Sequence, residues 1–115
     1  MYEYNAKLIK VRDGDTAIFE VDLGFRFKFT EPFRFASINT PELHSQDPLV
    51  RVKANEAKQY VIDRLGNAKS IILKTIKDSQ EKYGRYLAYV MVDGANLNEE
   101  LVTKGYATPF MVVNP

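Results

Sequence analysis

Cysteine and tryptophan are absent from this chain of 115 residues, and histidine occurs once, at His44. Without cysteine there are no disulfides, zinc–thiolate sites or thiol nucleophiles. A lone histidine leaves no His-rich metal site and argues against a Ser-His triad. Neither sign of charge dominates: 16 Lys and Arg stand against 15 Asp and Glu, a net charge of +1, so binding to a polyanion must come from a local patch. No apolar run is long enough to cross a bilayer, so no membrane partner is expected. The opening "MYEYNAKLIK" carries Glu3, Lys7 and Lys10 where a signal peptide needs an unbroken apolar core. As it stands, the sequence reads as cytoplasmic. It has no repeat, low-complexity tract or long linker, and its length suits one core, so residues 1–115 are expected to form a single domain, monomeric by default.

Short β-rich segments are what the chain does have. "KLIKVR" (Lys7 to Arg12) and "TAIFEV" (Thr16 to Val21) flank "DGD", where Asp-Gly tolerates positive φ and signals a hairpin. "FRFKF" (Phe25 to Phe29) alternates strictly, which predicts a strand with one apolar and one charged face. Pro32 marks an edge or break before the next strand, "FRFASI". Ala54, Ala57, Tyr60, Val61 and Leu65 recur at helical spacing, with Gly66 as the stop. "SIILKTI" and "YLAYVMV" are strands joined by a "KYGR" turn, and Asn98 is a cap for "EELVTK". Three strands, a helix, two strands and a helix make a mainly β protein with helices. The commonest such arrangement is a five-stranded OB-type Greek-key barrel with about two packed helices.

Several residues carry chemistry as well as structure. Asp13 reads as turn polarity, whereas Asp15 shares a strand face with Ala17, Phe19 and Val21, where a carboxylate needs a cation or a donor. Alternation puts Arg34 on a face with Ala36 and Ile38, and a half-buried guanidinium wants a carboxylate or a phosphate. "NTPE" reads equally as a helix start, with Thr40 as cap and Pro41 behind it, and as the wall of a cation site. In the second reading the Thr40 carbonyl binds a hard cation and Glu42 orients a water. "KYGR" offers Lys82, Tyr83 and Arg85 around a glycine. "RFKF" is either an aromatic and basic platform for nucleic acid or a half-buried strand, and the strand is the commoner case.

Taken together, "VRDGDT", "FRFASINTPE" and "EKYGRYLAYV", followed by "LNEELVTKGYA", resemble the staphylococcal nuclease (thermonuclease-like) family from about Lys7 to Ala107. The resemblance implies an OB-type barrel that acts as a calcium-dependent phosphodiesterase. Such an enzyme cuts DNA and RNA with little sequence preference and leaves 3′-phosphate ends. It implies Asp15, Asn39 and the Thr40 carbonyl as Ca2+ ligands, and Glu42 as the residue that holds and deprotonates the attacking water. It also implies Arg34 and Arg85 as the grip on the scissile phosphate, and Lys82 and Tyr83 near the terminal phosphate of a bound nucleotide. Oxygen-only ligands agree with a chain almost without histidine.

The sequence departs from that pattern in three places. Asn39 stands where the best-known members have a second carboxylate. Met111 and Val113 replace expected tyrosines beside the base, and the chain stops at "VNP" before a final helix. A nuclease-like barrel that binds nucleic acid or protein without cutting is the alternative function. Retention of Asp15, Arg34, Glu42 and Arg85 together favours the enzyme.

Overall fold

In the computed structural model, residues 2–80 and 84–110 are described. The period-two pattern read in "TAIFEV" organises β2 (Thr16–Asp22), whose Ala17, Phe19 and Val21 are all buried on one face. On one side β2 pairs antiparallel with β1 (Tyr2–Asp13), and on the other with β3 (Lys28–Phe35). β1 continues onto β5 (Ile71–Gln80), which pairs antiparallel with β6 (Tyr86–Val92). A short parallel ladder, Phe33–Phe35 against Tyr86–Ala88, joins β3 to β6 and closes these five strands into an OB-type barrel. Closure removes the long free edges that would otherwise template aggregation.

Phe19, Phe35, Leu73 and Val90 fill the barrel and are fully buried. At about 1.5–3 kcal/mol for each large apolar side chain taken from water, they dominate the stabilising side of folding. Two helices cover the barrel. In α1 (Pro48–Gly66) the inward stripe is Ala54, Ala57, Val61 and Leu65, and its small first members let the helix approach β1 closely. α2 (Leu97–Thr103) buries Leu97, Asn98 and Leu101. The short strands β4 (Ile38–Asn39) and β8 (Thr108–Pro109) pair with each other, and β7 (Ala95–Asn96) extends β6. Among the described residues, no helix is long and apolar enough to cross a membrane.

Five sequence expectations need correction. "FRFKF" is not one strand: β3 begins at Lys28, and Gly24 to Phe27 form the turn of a hairpin closed by Phe27 N donating to Gly24 O at 2.9 Å. Phe25 and Arg26 have φ of 53° and 69°, the left-handed signature of a type I′ turn, at a cost of roughly 1–2 kcal/mol each without glycine. Of the two readings of Pro32, the edge holds and the break does not, since β3 runs through it. Phe35 N donates to Asp15 O, so alternation turns the Pro32 nitrogen to the other side, where pairing with β6 has not yet begun.

"TPE" starts no helix. Asp47 caps α1 instead, its Oδ1 accepting from Leu49 N at 2.9 Å with Pro48 next in the chain, while Gly66 lies inside the helix and Asn67 ends it. Asn96 caps α2, and Asn98 is 1% exposed, accepting from Val90 N and donating to the carbonyls of Ala36 and Ala88. Gly14 in "DGD" is absent from the positive-φ residues. Its need is space, because an added Cβ would lie 2.9 Å from both Ala57 Cβ and Thr40 Cγ2.

Candidate active site

The Gly14–Asp15 turn, the end of β3 and the loop after β4 meet at one end of the barrel around an open cleft of about 780 Å3. Asp15, Arg34, Asn39, Thr40, Glu42 and Arg85, six of the residues expected from sequence, line it together. Pairing of Thr16 with Arg34 places the second of two loops' worth of polar groups directly across from the first. Lys82 and Tyr83 lie outside the described residues, as do Met111 and Val113.

Arg34 and Asp15 form an ion pair, Nη1 to Oδ2 at 3.4 Å, with side chains only 12% and 13% exposed. The guanidinium also donates from Nη1 to the Phe35 carbonyl at 2.7 Å, and from Nη2 to the Ile38 carbonyl at 2.6 Å and to Asn39 Oδ1. These three bonds, with the Asp15 ion pair on Nη1, engage two of the three guanidinium nitrogens, fix the plane of the group and leave Nε–H for a ligand. Asp15 is held as firmly: Oδ2 accepts from Thr40 N at 3.2 Å and Oδ1 from Thr16 Oγ1 at 3.3 Å. Thr16 Oγ1 in turn accepts from Arg85 Nη1 at 3.0 Å, so a polar chain runs from Arg85 through Thr16 to Asp15 and Arg34. The side chain of Glu42 is exposed on the loop wall and has no hydrogen-bond or ion-pair partner among the described residues.

Burial, reinforced by the hydrogen bond and charge of neighbouring Asp15, pushes the Asp13 carboxyl up to about 6, and the Arg85 guanidinium opposes that rise only in part. Asp13 Oδ1 also accepts from Asp15 N at 3.0 Å, which ties the turn together. Two carboxylates crowded into one half-buried corner are a place where a cation relieves repulsion. The donors there are all oxygen, which suits a hard cation such as calcium or magnesium. The set is sparse, however. Among the described residues no three His, Cys, Asp or Glu side chains are grouped to hold a metal, so a cation would also need the Asn39 amide oxygen and backbone carbonyls. The residues fit a weakly held cation.

Sequence reasoning passed over Arg12, His44 and Phe110, which also line the cleft, and treated Asp13 as secondary. The signal for Asp13 was the turn itself, since Gly14 brings both flanking carboxylates to the same end of the barrel. Phe110 is placed by its backbone N donating to Ser37 O at 2.8 Å, a pairing across most of the chain that no local pattern encodes.

Comparison with known proteins agrees with this geometry. A family model described as staphylococcal nuclease homologue matches residues 32–115. The thermonuclease of Staphylococcus hyicus is 32% identical over 105 residues, covering 91% of this chain and 59% of that protein. Endonuclease YncB of Bacillus subtilis is 29% identical over 96% of this chain and 50% of its own length. An uncharacterized protein of Methanocaldococcus jannaschii is 32% identical, over 94% of this chain and 60% of its own length. The chain belongs to the staphylococcal nuclease homologue family. It spans about half to three-fifths of the length of the curated relatives it matches.

Proposed function

We propose that the protein is a metal-dependent nuclease that hydrolyses phosphodiester bonds in DNA and RNA. One observation carries this reading: Arg34 and Arg85, the Asp13–Asp15 carboxylate pair and the exposed Glu42 side chain, which has no partner among the described residues, converge on a single cleft. Two guanidiniums suit a phosphodiester undergoing in-line attack, because negative charge gathers on its non-bridging oxygens and charged donors stabilise it. Glu42 takes a proton from the water that attacks phosphorus. The bond from phosphorus to the 5′ oxygen breaks, and the departing alkoxide takes a proton from solvent. The products are a 3′-phosphate and a 5′-hydroxyl. A calcium ion held by Asp15, the Asn39 amide oxygen and the Thr40 carbonyl would supply positive charge beside the same phosphate.

Guanidiniums that grip backbone phosphate read no base edge, so cutting shows little sequence preference. The resemblance to the family, and not a described position, is what assigns Lys82 and Tyr83 to the terminal phosphate of a bound nucleotide. Incubating plasmid and RNA with the pure protein, in calcium and in chelator, tests the proposal. Cleavage of both in calcium alone supports it. Binding without cleavage across a wide range of calcium and pH replaces it with a barrel that binds nucleic acid but does not cut. The observation favouring that second reading is Asn39, whose amide oxygen is engaged by Arg34 and brings no charge to the cation site.

A further inference from the structure

The far end of the β2–β3 hairpin has an exposed aromatic tip that the cleft does not use. Phe25 is 95% exposed, Phe27 68%, and Leu23 is exposed beside them. Phe25 and Arg26 occupy the two left-handed positions of the turn, where Asn-Gly is the relaxed choice. A bulky aromatic kept in solvent on an unfavourable backbone is a reason to look for a ligand. Arg26 lies between the two phenylalanines in sequence and is exposed. Lys28 follows and pairs with Asp22 at 3.7 Å, while the Asp22 carboxylate also accepts from Gly24 N, so the acid at the tip is engaged. The aromatic surface does not stop at the turn. Phe29 packs edge-on against Tyr86 with ring centroids 5.4 Å apart, and both are half-buried at the barrel mouth. Tyr86 adjoins Arg85, which lines the cleft.

We infer that the hairpin tip is a stacking subsite for single-stranded nucleic acid, with Phe25 and Phe27 taking bases and Arg26 the backbone phosphate. The inference rests on the reading of the cleft as a nucleic-acid site. Aromatic faces alternating with cations are what sequence-independent single-strand binding uses. The geometry fits a strand reaching from one site to the other. From Lys28 to Arg34 is six steps of β3, about 20 Å at roughly 3.3 Å each. About six nucleotides at the ~3.4 Å stacked spacing cover that distance, within the range for one OB barrel. Lys28 and Arg34, six residues apart and so on one face of β3, lead from the tip to the cleft, which favours a nucleic acid over a lipid surface that the same exposed rings could otherwise enter.

The test is binding of fluorescein-labelled oligothymidylates of about 12 and about 3 nucleotides, by anisotropy, in chelator so that no cutting occurs. The variants are Phe25→Asn with Phe27→Ser, which leaves a residue suited to the turn, and Arg26→Gly, which relaxes it. The aromatic variant is expected to bind the long oligomer about tenfold more weakly and the short one within about twofold of the unaltered protein. Arg26→Gly is expected to lower the salt slope for the long oligomer by about one. Equal weakening for both lengths, or none, overturns the inference while leaving the cleft reading intact. So does binding of phosphatidylserine vesicles that depends on Phe25 when oligomer binding does not change; that result assigns the tip to lipid. No binding of either oligomer by the unaltered protein removes both readings. A protein that binds with the expected length dependence yet never cuts in calcium keeps this inference and loses only the nuclease.

Discussion

The Arg34 guanidinium lies against the Asp15 carboxylate, Nη1 to Oδ2 at 3.4 Å, so the cation proposed to grip phosphate is also the counter-charge of the carboxylate proposed to hold the metal. The two proposed roles compete for the same oxygens. Removing Arg34 should therefore separate them. Arg34→Ala is expected to lower kcat by about two orders of magnitude or more, as loss of a transition-state donor does. The calcium midpoint should fall or stay unchanged, because Asp15 and Asn39 lose a competitor. Arg85→Ala should lower kcat similarly. Calcium titrations of activity decide it, and a kcat near that of the unaltered protein means Arg34 does not face the phosphate.

At the proposed cation site Asn39 would offer an amide oxygen where a carboxylate would add a full charge. Calcium sites tighten with ligand charge, and sparse ones sit roughly in the sub-millimolar to millimolar range. Asn39→Asp is expected to lower the calcium concentration for half-maximal activity by about tenfold, or ~1.4 kcal/mol. An unchanged midpoint would mean that the Asn39 side chain serves Arg34 and not a cation.

Asp13 gives a stability prediction with a definite sign. Its carboxyl is raised to about 6, chiefly by burial and then by Asp15, from 3.8. Between those values the unfolded chain has released its proton and the folded chain has not, so folding stability falls as pH rises through that window. Above about 6 both states are ionised and the penalty is complete. Asp13→Asn keeps an oxygen for Asp15 N and removes the charge, so it should raise Tm at neutral pH. The difference should vanish below about pH 4, where both states of Asp13 are protonated. Thermal melts of both proteins across that range, in chelator, check the sign.

The barrel was legible because its strands obey period two: Ala17, Phe19 and Val21 could face only one way. The cleft was legible because its residues cluster in three short motifs. What failed did so for reasons local pattern does not hold. "NTPE" has the composition of a helix start, but Asn39 is drawn into a ladder with Thr108, and Thr40 N goes to Asp15, so no turn of helix forms. "FRFKF" has the period of a strand, yet the hairpin turns within it. Asn98 looked like a cap because its partners, Ala36, Ala88 and Val90, are distant in sequence or on a strand it covers.

That buried amide makes its own prediction. Asn98→Ala would leave Val90 N and the Ala36 carbonyl without this partner in a buried corner, while the Ala88 carbonyl keeps its bond from Ala36 N. At roughly 1–3 kcal/mol for each of these two unsatisfied buried groups, the change should cost at least ~2 kcal/mol. Urea unfolding should show a lower midpoint at similar slope. A loss under about 1 kcal/mol would mean that α2 relaxes to let water in.

Gly14 joins folding to the site, and it is the substitution where the two consequences can be pulled apart. The turn carrying Asp13 and Asp15 is pressed between helix α1 and the Thr40 loop, with an added Cβ 2.9 Å from Ala57 Cβ on one side and from Thr40 Cγ2 on the other. Neither neighbour is the far end of a flexible chain, so Gly14→Ala must push the turn off the helix, the loop off the turn, or both. Overpacking of this kind costs about 1–3 kcal/mol. It also moves Thr40 N away from Asp15 Oδ2, so calcium-dependent activity should fall along with stability. The double variant Gly14→Ala with Thr40→Ser removes Cγ2 and eases the loop contact alone, leaving Thr40 Cβ at 3.1 Å. It should recover activity more than stability. Gly14→Ala with Ala57→Gly relieves the helix contact instead and should recover stability more than activity. Parallel urea melts and calcium-activated cleavage rates for the three proteins measure both. If the two second-site changes rescue both properties equally, the turn moves as one rigid piece, and the Thr40 contact has no separate part in holding Asp15.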